Sequence, residues 1–273
     1  MARWLSLVAL ALVVLSGCPK RKQPERGVEF VFKKTGDVRP VVERRLAQLG
    51  LVTRITDDET GLTVRVPEGA ADADLSAVTR LLLMPAKLEF CAEVKPVDGA
   101  RCTADAGVTI EREDPPRTDC FFTGADAGEL IAAAKADGTT RVLVGAAWPD
   151  GPLRTFFGER CLAPRVMEAE LKRDANTNSP VLSMTFDAPT ASSFADLTGA
   201  LVRRRLLVVL DDRVQSAPVV MEAITGGRAM LTFGKNATEE EIAQLGRALS
   251  GGPLPGTMEL ERTGTYGPPT LMK

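Results

Sequence analysis

Apolar residues at Val28, Phe30 and Phe32 mark Val28–Lys33 as a strand, and strict apolar–polar alternation over Leu62–Val66 predicts another. Between them, Val41, Val42, Leu46 and Leu49 fall on one face of a predicted helix over 38–49, stopped by Gly50, and Leu51–Thr56 predicts another strand. A second helix over 72–84 carries Leu75, Val78, Leu81 and Leu82, and a further strand follows over 86–94. The order strand, helix, strand, strand, helix, strand is the split βαβ pattern of a ferredoxin-like unit, which by itself implies no particular activity.

The pattern blurs over 95–164, where polar and turn-forming residues dominate up to Arg117; only a helix over 127–136 and a strand over 141–145 stand out. It sharpens from Val166 onward. Strands are predicted over 167–172 and 181–186, followed by a helix over 190–202 that buries Phe194, Leu197 and Leu201. Leu206–Leu210 is an unbroken apolar strand, expected to be central in its sheet, and Asp211-Asp212 turns it. Val214–Val220 continues extended through Pro218, which suits an edge or irregularity. A strand over 229–233, a helix opened by Thr238-Glu239-Glu240-Glu241 as a capping box and closed at Gly251-Gly252, and a short strand over 258–261 complete the chain. The class is α+β.

The first residues change the picture from fold to address. Arg3, the apolar run Trp4–Leu15 and the small residues Ser16 and Gly17 precede Cys18, the layout of a secretory signal. The run falls short of the ~20 residues of a membrane-spanning helix. Leu15-Ser16-Gly17-Cys18 resembles the lipobox of bacterial lipoproteins, which implies cleavage before Cys18 and acylation of that residue, with an ordinary cleaved signal as the alternative. Two or more acyl chains hold a protein stably at a bilayer. Residues 18–27, polar and basic with two prolines, then read as a lipidated tether whose Lys20, Arg21 and Lys22 suit anionic headgroups. The expected location is the bacterial cell envelope, facing the periplasm.

Composition narrows the function. The chain of 273 residues has a formal charge of −2, and loss of the signal removes only Arg3, leaving −3, with aromatics at 5%. Nucleic acid is therefore not an expected partner. With no histidine, the usual triads and histidine-ligated metals are excluded. Gly234-Lys235 lacks the spacing of a phosphate loop, and Asp211-Asp212 is better read as a polar turn than as paired catalytic carboxylates. Neither an enzyme, a cofactor nor a metal is expected. Four cysteines follow Cys18, namely Cys91, Cys102, Cys120 and Cys161, and in an exported chain they suggest disulfides. Three pairings exist. Cys91 with Cys102 and Cys120 with Cys161 are preferred because each closes one loop-rich stretch, and a zinc site fits less well without CxxC or histidine.

Several segments, in order, resemble the first periplasmic (P1) domain of SecD, the Sec translocon accessory subunit. Leu206–Pro218 (LLVVLDDRVQSAP) resembles that family's apolar strand, Leu-Asp-Gly and Ser-Ala-Pro, which singles out Leu210, Asp211, Ser216, Ala217 and Pro218. Val181–Thr198, Ile224–Ala229 with Gly227, Thr238-Glu239-Glu240, and Leu249–Pro255 with Gly251, Leu254 and Pro255 match further pieces. Upstream, Arg44–Gly50 and Pro85–Phe90 resemble two more. The resemblance implies a base, residues 28–96 plus 256–264, with a head over 97–255 inserted before the last base strand, a cysteine-containing insert over about 97–165 and a flexible tail over 265–273. It implies binding of extended or unfolded exported polypeptide beside Sec components, by a head and base that swing relative to one another. The family's first membrane helix is replaced here by the lipoprotein signal, and the proton-path helices that follow in the family have no counterpart before Lys273. The expected role is therefore passive binding. The alternative is a structural or regulatory envelope lipoprotein that binds one folded partner.

Overall fold

The computed structural model describes residues 26–68, 75–94, 109–112, 120–134, 140–146, 152–233 and 237–267. Cys18 and the tether up to residue 25 lie outside the described residues, as does Cys102.

Apolar residues at alternate positions build the first sheet. Phe30 and Phe32 of β1 (Gly27–Lys34) and Leu62, Val64 and Val66 of β3 (Gly61–Pro67) point to one side, where they are buried. There they meet Val42 and Leu46 of α1 (Arg39–Gln48) and Val78 and Leu82 of α2 (Leu75–Leu83). β2 (Arg54–Asp57) pairs with β3, and β3 with β1, all antiparallel. The strand expected over 86–94 is not in this sheet, and the place beside β1 is taken by the C-terminal segment that the resemblance assigns to the base. β1 pairs on its free side with β14 (Met258–Tyr266), giving the order β14-β1-β3-β2 of a ferredoxin-like sheet. The last strand thus runs to Tyr266 opposite Gly27, taking Thr265 and Tyr266 out of the expected flexible tail.

The segment expected to fill that place, β4 (Leu88–Glu93), lies in the other sheet, antiparallel to β11 (Leu206–Leu210) with Phe90 opposite Val208. The reason is its two apolar faces: Phe90 packs in one core and Cys91 in another, and both are buried. A strand dry on both sides needs cover on both. β14, with a partly buried and a wet side, suits the edge of a one-sided sheet.

The inserted region has two layers of its own. β9 (Val166–Arg173), β10 (Pro180–Phe186) and β13 (Arg228–Thr232) form an antiparallel sheet with β10 central. Leu182 and Met184 from it share a core with Phe194 and Leu197 of α4 (Ala188–Ala200) and Ile242 and Leu245 of α5 (Glu239–Gly251). The rings of Phe90, Phe186 and Phe194 meet there edge-to-face or tilted, at centroid distances of 4.8–5.8 Å.

Behind it, β5 (Thr109–Arg112), β6 (Cys120–Gly124), β7 (Arg141–Ala146), β8 (Leu153–Leu162) and β12 (Arg213–Ser216) join β4 and β11 in a seven-stranded sheet, with α3 (Ala127–Ala133) against β6 and β7. Pairing of β4 with β8 closes five of those strands into a ring, and Cys91, Leu143, Phe156, Leu207, Val209 and Val214 cluster within it.

That closure decides the disulfide. Cys91 is bonded to Cys161, with Cα atoms 4.0 Å apart, so both preferred pairings are overturned. Antiparallel β8 carries Cys161 alongside Cys91 at a slip in the register, where Arg160 has φ 48°. Sequence proximity favoured the nearer cysteines; strand pairing brings together residues 70 apart. Cys120 opens β6 opposite Arg112.

Candidate functional site

The chain passes between the two sheet systems at two connectors. It leaves α2 through Met84–Lys87 and returns from α5 through Gly252–Thr257. Each holds a residue in the left-handed region, Ala86 at φ 55° and Gly252 at φ 89°. The connectors are tied to one another, Leu254 N–H donating to the Pro85 carbonyl at 3.0 Å. Lys87 is tied to Asp211: the Lys87 amide donates to Asp211 Oδ1 at 2.8 Å, and the Asp211 amide donates to the Lys87 carbonyl at 2.9 Å. Leu254 packs on the first core, and Pro255 lies against the Gly36 turn, where a Cβ on Gly36 would come within 2.9 Å of the Pro255 carbonyl oxygen.

Arg45 sits at this crossing. It lies on α1 between the buried Val42 and Leu46 and is itself 0% exposed. Its Nη1 donates to the carbonyls of Leu81 at 2.8 Å and Met84 at 2.6 Å, and its Nη2 to that of Gly252 at 2.9 Å. Arg44 Nε donates to Gly251 O at 2.9 Å. These carbonyls belong to the last turns of α2 and α5 and to the connectors, where helical C=O groups have lost their partners and the helix dipole is negative. A forked cation fits that need. Burial lowers the guanidinium pKa to about 10, partly opposed by the Asp211 carboxylate, so it stays charged at neutral pH. Gly251 is required here, because a Cβ would lie 2.5 Å from Arg45 Cγ.

The remaining singled-out positions lie elsewhere in the inserted region. Leu210 pairs with Arg213 across a two-residue turn, with Asp211 and Asp212 at φ 51° and 63°, which is a type I′ hairpin. Asp212 is ion-paired with Lys87 Nζ at 3.1 Å and with Arg141. Ser216 ends β12 opposite Val208, Ala217 packs against the ring cluster, and the Pro218 carbonyl accepts from Leu206 N–H. Gly227, at φ 62°, accepts from Phe186 N–H through its carbonyl and lies against Ala191 of α4.

Between Pro218 and Gly227 the chain forms only isolated bridges, Val219 to Arg205 and Val220 to Val202. It is pinned again where Ile224 N–H donates to Thr198 Oγ1 at 2.9 Å. Val219 and Met221 on this pinned segment are 41% and 78% exposed, and Val202, just past α4 and bridged to Val220, is 42% exposed. Three apolar side chains are thus held in the open by fixed main chain.

Leu210, Asp211, Gly251, Leu254 and Pro255 therefore gather near the connectors, while Ser216, Ala217, Pro218 and Gly227 frame the exposed segment. The sequence placed Arg45 only within the matching stretch Arg44–Gly50, with no role assigned to it, and did not single out Met221. An arginine in the buried helical register of Val42 and Leu46 was the signal for the first. For the second the signal was an apolar residue in a stretch without period. Among the described residues no group of three His, Cys, Asp or Glu is placed to hold a metal ion, and no helix is long and apolar enough to cross a membrane.

Residues 162–256 match the family described as SecDF, P1 head subdomain. The chain is 38% identical over 104 residues to the protein translocase subunit SecD of Desulfurispirillum indicum, covering 38% of this chain and 20% of that protein. It is 41% identical over 91 residues to SecD of Magnetococcus marinus, covering 33% and 17%. A longer match, 28% over 232 residues, joins 84% of this chain to 28% of the SecDF of Thermus thermophilus. The chain thus spans about a fifth of the first of these relatives. Among solved structures, SecDF in a super-membrane-facing form matches 90% of this chain and 32% of its own, with TM-score 0.56 and 21% identity. A structure of a membrane component SecDF that enhances protein export matches 86% of this chain and 98% of its own, with TM-score 0.53 and 22% identity. Residues 162–256 are thus similar to the SecDF P1 head subdomain, and the fold of the chain across both sheet systems is shared with SecDF.

Proposed function

We propose that this protein acts in protein export as a non-catalytic P1 domain, held at the envelope membrane by lipid on Cys18, that binds extended or unfolded exported polypeptide beside Sec components. The observation that carries this reading is the match of residues 162–256 to the SecDF P1 head. Its support in the molecule is the exposed apolar set of Val219 and Met221 on the pinned segment and Val202 on the stretch bridged to it, all within residues 162–256. Unfolded chains expose apolar side chains that folded ones bury, so a small fixed apolar surface prefers the unfolded partner. The lipobox supports the anchor.

The test is binding of the purified mature protein to a presecretory chain held unfolded, against the same chain folded. The reading expects the unfolded form to bind and Val219→Asp with Met221→Asp to weaken it at least about tenfold, roughly 1.4 kcal/mol. Both positions are exposed, so stability should change by less than about 0.5 kcal/mol. Binding no stronger than that of an unrelated lipoprotein overturns the reading. For the anchor, Cys18→Ser is expected to abolish palmitate labelling and release the protein from membranes; unchanged labelling contradicts it.

A further inference from the structure

Head and base are joined by two connectors, and one side chain grips both. Arg45, from the base helix α1, reaches Met84 O of the outgoing connector and Gly252 O of the returning one, at 2.6 and 2.9 Å. The Pro85 carbonyl lies 3.4 Å from its Nη2 and also accepts from Leu254 N–H, so the two connectors and the guanidinium form one hydrogen-bonded knot. We propose that Arg45 is a latch that fixes the orientation of the head on the base.

Three features support the assignment. The grip is entirely to main-chain carbonyls, so it depends on connector geometry and holds only where Ala86 and Gly252 keep their left-handed conformations. For alanine that conformation is unfavourable, so it persists where the surroundings impose it. The guanidinium is buried without a carboxylate within salt-bridge distance among the described residues, so those carbonyls, aided by the more distant Asp211 charge, compensate it. Such a charge is costly to strand, so loss of the carbonyls is resisted, and head and base move together while the latch is closed. Gly251 completes it by leaving room for the arginine stem. The inference does not depend on what the head binds.

The test is the distance distribution between nitroxide labels carried on ketone-bearing residues at positions 59 and 175, exposed turns of base and head, which leaves the cysteines untouched. Electron–electron double resonance on the mature protein is expected to give one narrow distribution. Arg45→Ala and, independently, Gly251→Ala are expected to broaden or shift it, by a factor of about two in width for the alanine at 45. Arg45→Lys, which keeps the charge but loses the fork, should fall between. Hydrogen exchange of the β1 and β3 amides reports whether the base is still folded. If Arg45→Ala unfolds the base, Gly251→Ala and Arg45→Lys decide. Folded variants whose distributions equal that of the parent overturn the latch.

Discussion

Removing the bond between Cys91 and Cys161 tests the ring of strands directly. The bond closes a loop of residues 70 apart in sequence, and the chain-entropy relation gives about 4 kcal/mol of stabilisation for a loop of that length. Cys161→Ser removes the cross-link while keeping the buried Cys91 side chain among Leu143, Phe156, Leu207, Val209 and Val214. Adding Cys91→Ala truncates a fully buried group and is expected to cost about 1 kcal/mol more. Urea unfolding followed by circular dichroism under non-reducing conditions reads both. With a slope of about 2 kcal/mol/M, Cys161→Ser should lower the midpoint of the head transition by about 2 M. A shift below about 0.3 M would refute the reasoning, since the closed loop would then place no constraint on the unfolded chain. Peptide mapping of the unreduced protein should show the Cys91 and Cys161 peptides joined, and Cys102 with Cys120 as the pair that remains.

Other perturbations bear on the two cores and on pH. Phe194→Ala removes a ring that is 1% exposed and 4.8 Å from Phe90, and should destabilise the head by about 3–5 kcal/mol in the same urea assay. Thr238→Ala breaks the capping box with Glu241 and should cost about 1 kcal/mol. Hydrogen bonding and charge from Arg65, with Arg262 adding to them, hold Glu29 below the ordinary carboxyl range. Main-chain and side-chain donors do the same for Asp58, Asp174, Asp187 and Glu241. On acidification the unfolded chain takes up protons first, so the stability these groups contribute is complete above about pH 4.5 and is lost as pH falls through their lower folded values. Tm should therefore decline from about pH 4.5 downward, and less so in the base for Glu29→Gln; a Tm constant to pH 3 contradicts this.

What was legible in the sequence was local. The capping box at Thr238, the glycine pair ending α5, the unbroken apolar run of β11 and the alternation of β1 and β3 each declare themselves within a few residues. β8 did not. Its Phe156 and Phe157 are both buried, in two different clusters, so no alternation shows, and Arg154, Glu159 and Arg160 interrupt it. The charge of Arg154 is accommodated by the faces of Phe121 and Phe156, 4.0 and 4.4 Å from its guanidinium carbon, a compensation that spacing does not reveal. With β8 missing, the ring and the partner of Cys91 were out of reach. The placement of β4 outside the base sheet is a choice between distant partners, decided by its two dry faces. Arg45 was hidden for a related reason: its partners are carbonyls from three separate stretches of chain.

The proposed function requires that the exposed segment between Pro218 and Gly227 meet polypeptide on its way out of the cell. A photo-reactive residue in place of Met221, 78% exposed, reads this in living cells of the source organism. The account predicts a ladder of cross-links to many newly exported chains that disappears when export is stopped. A single discrete product that persists after export stops, or no product at all, would contradict it.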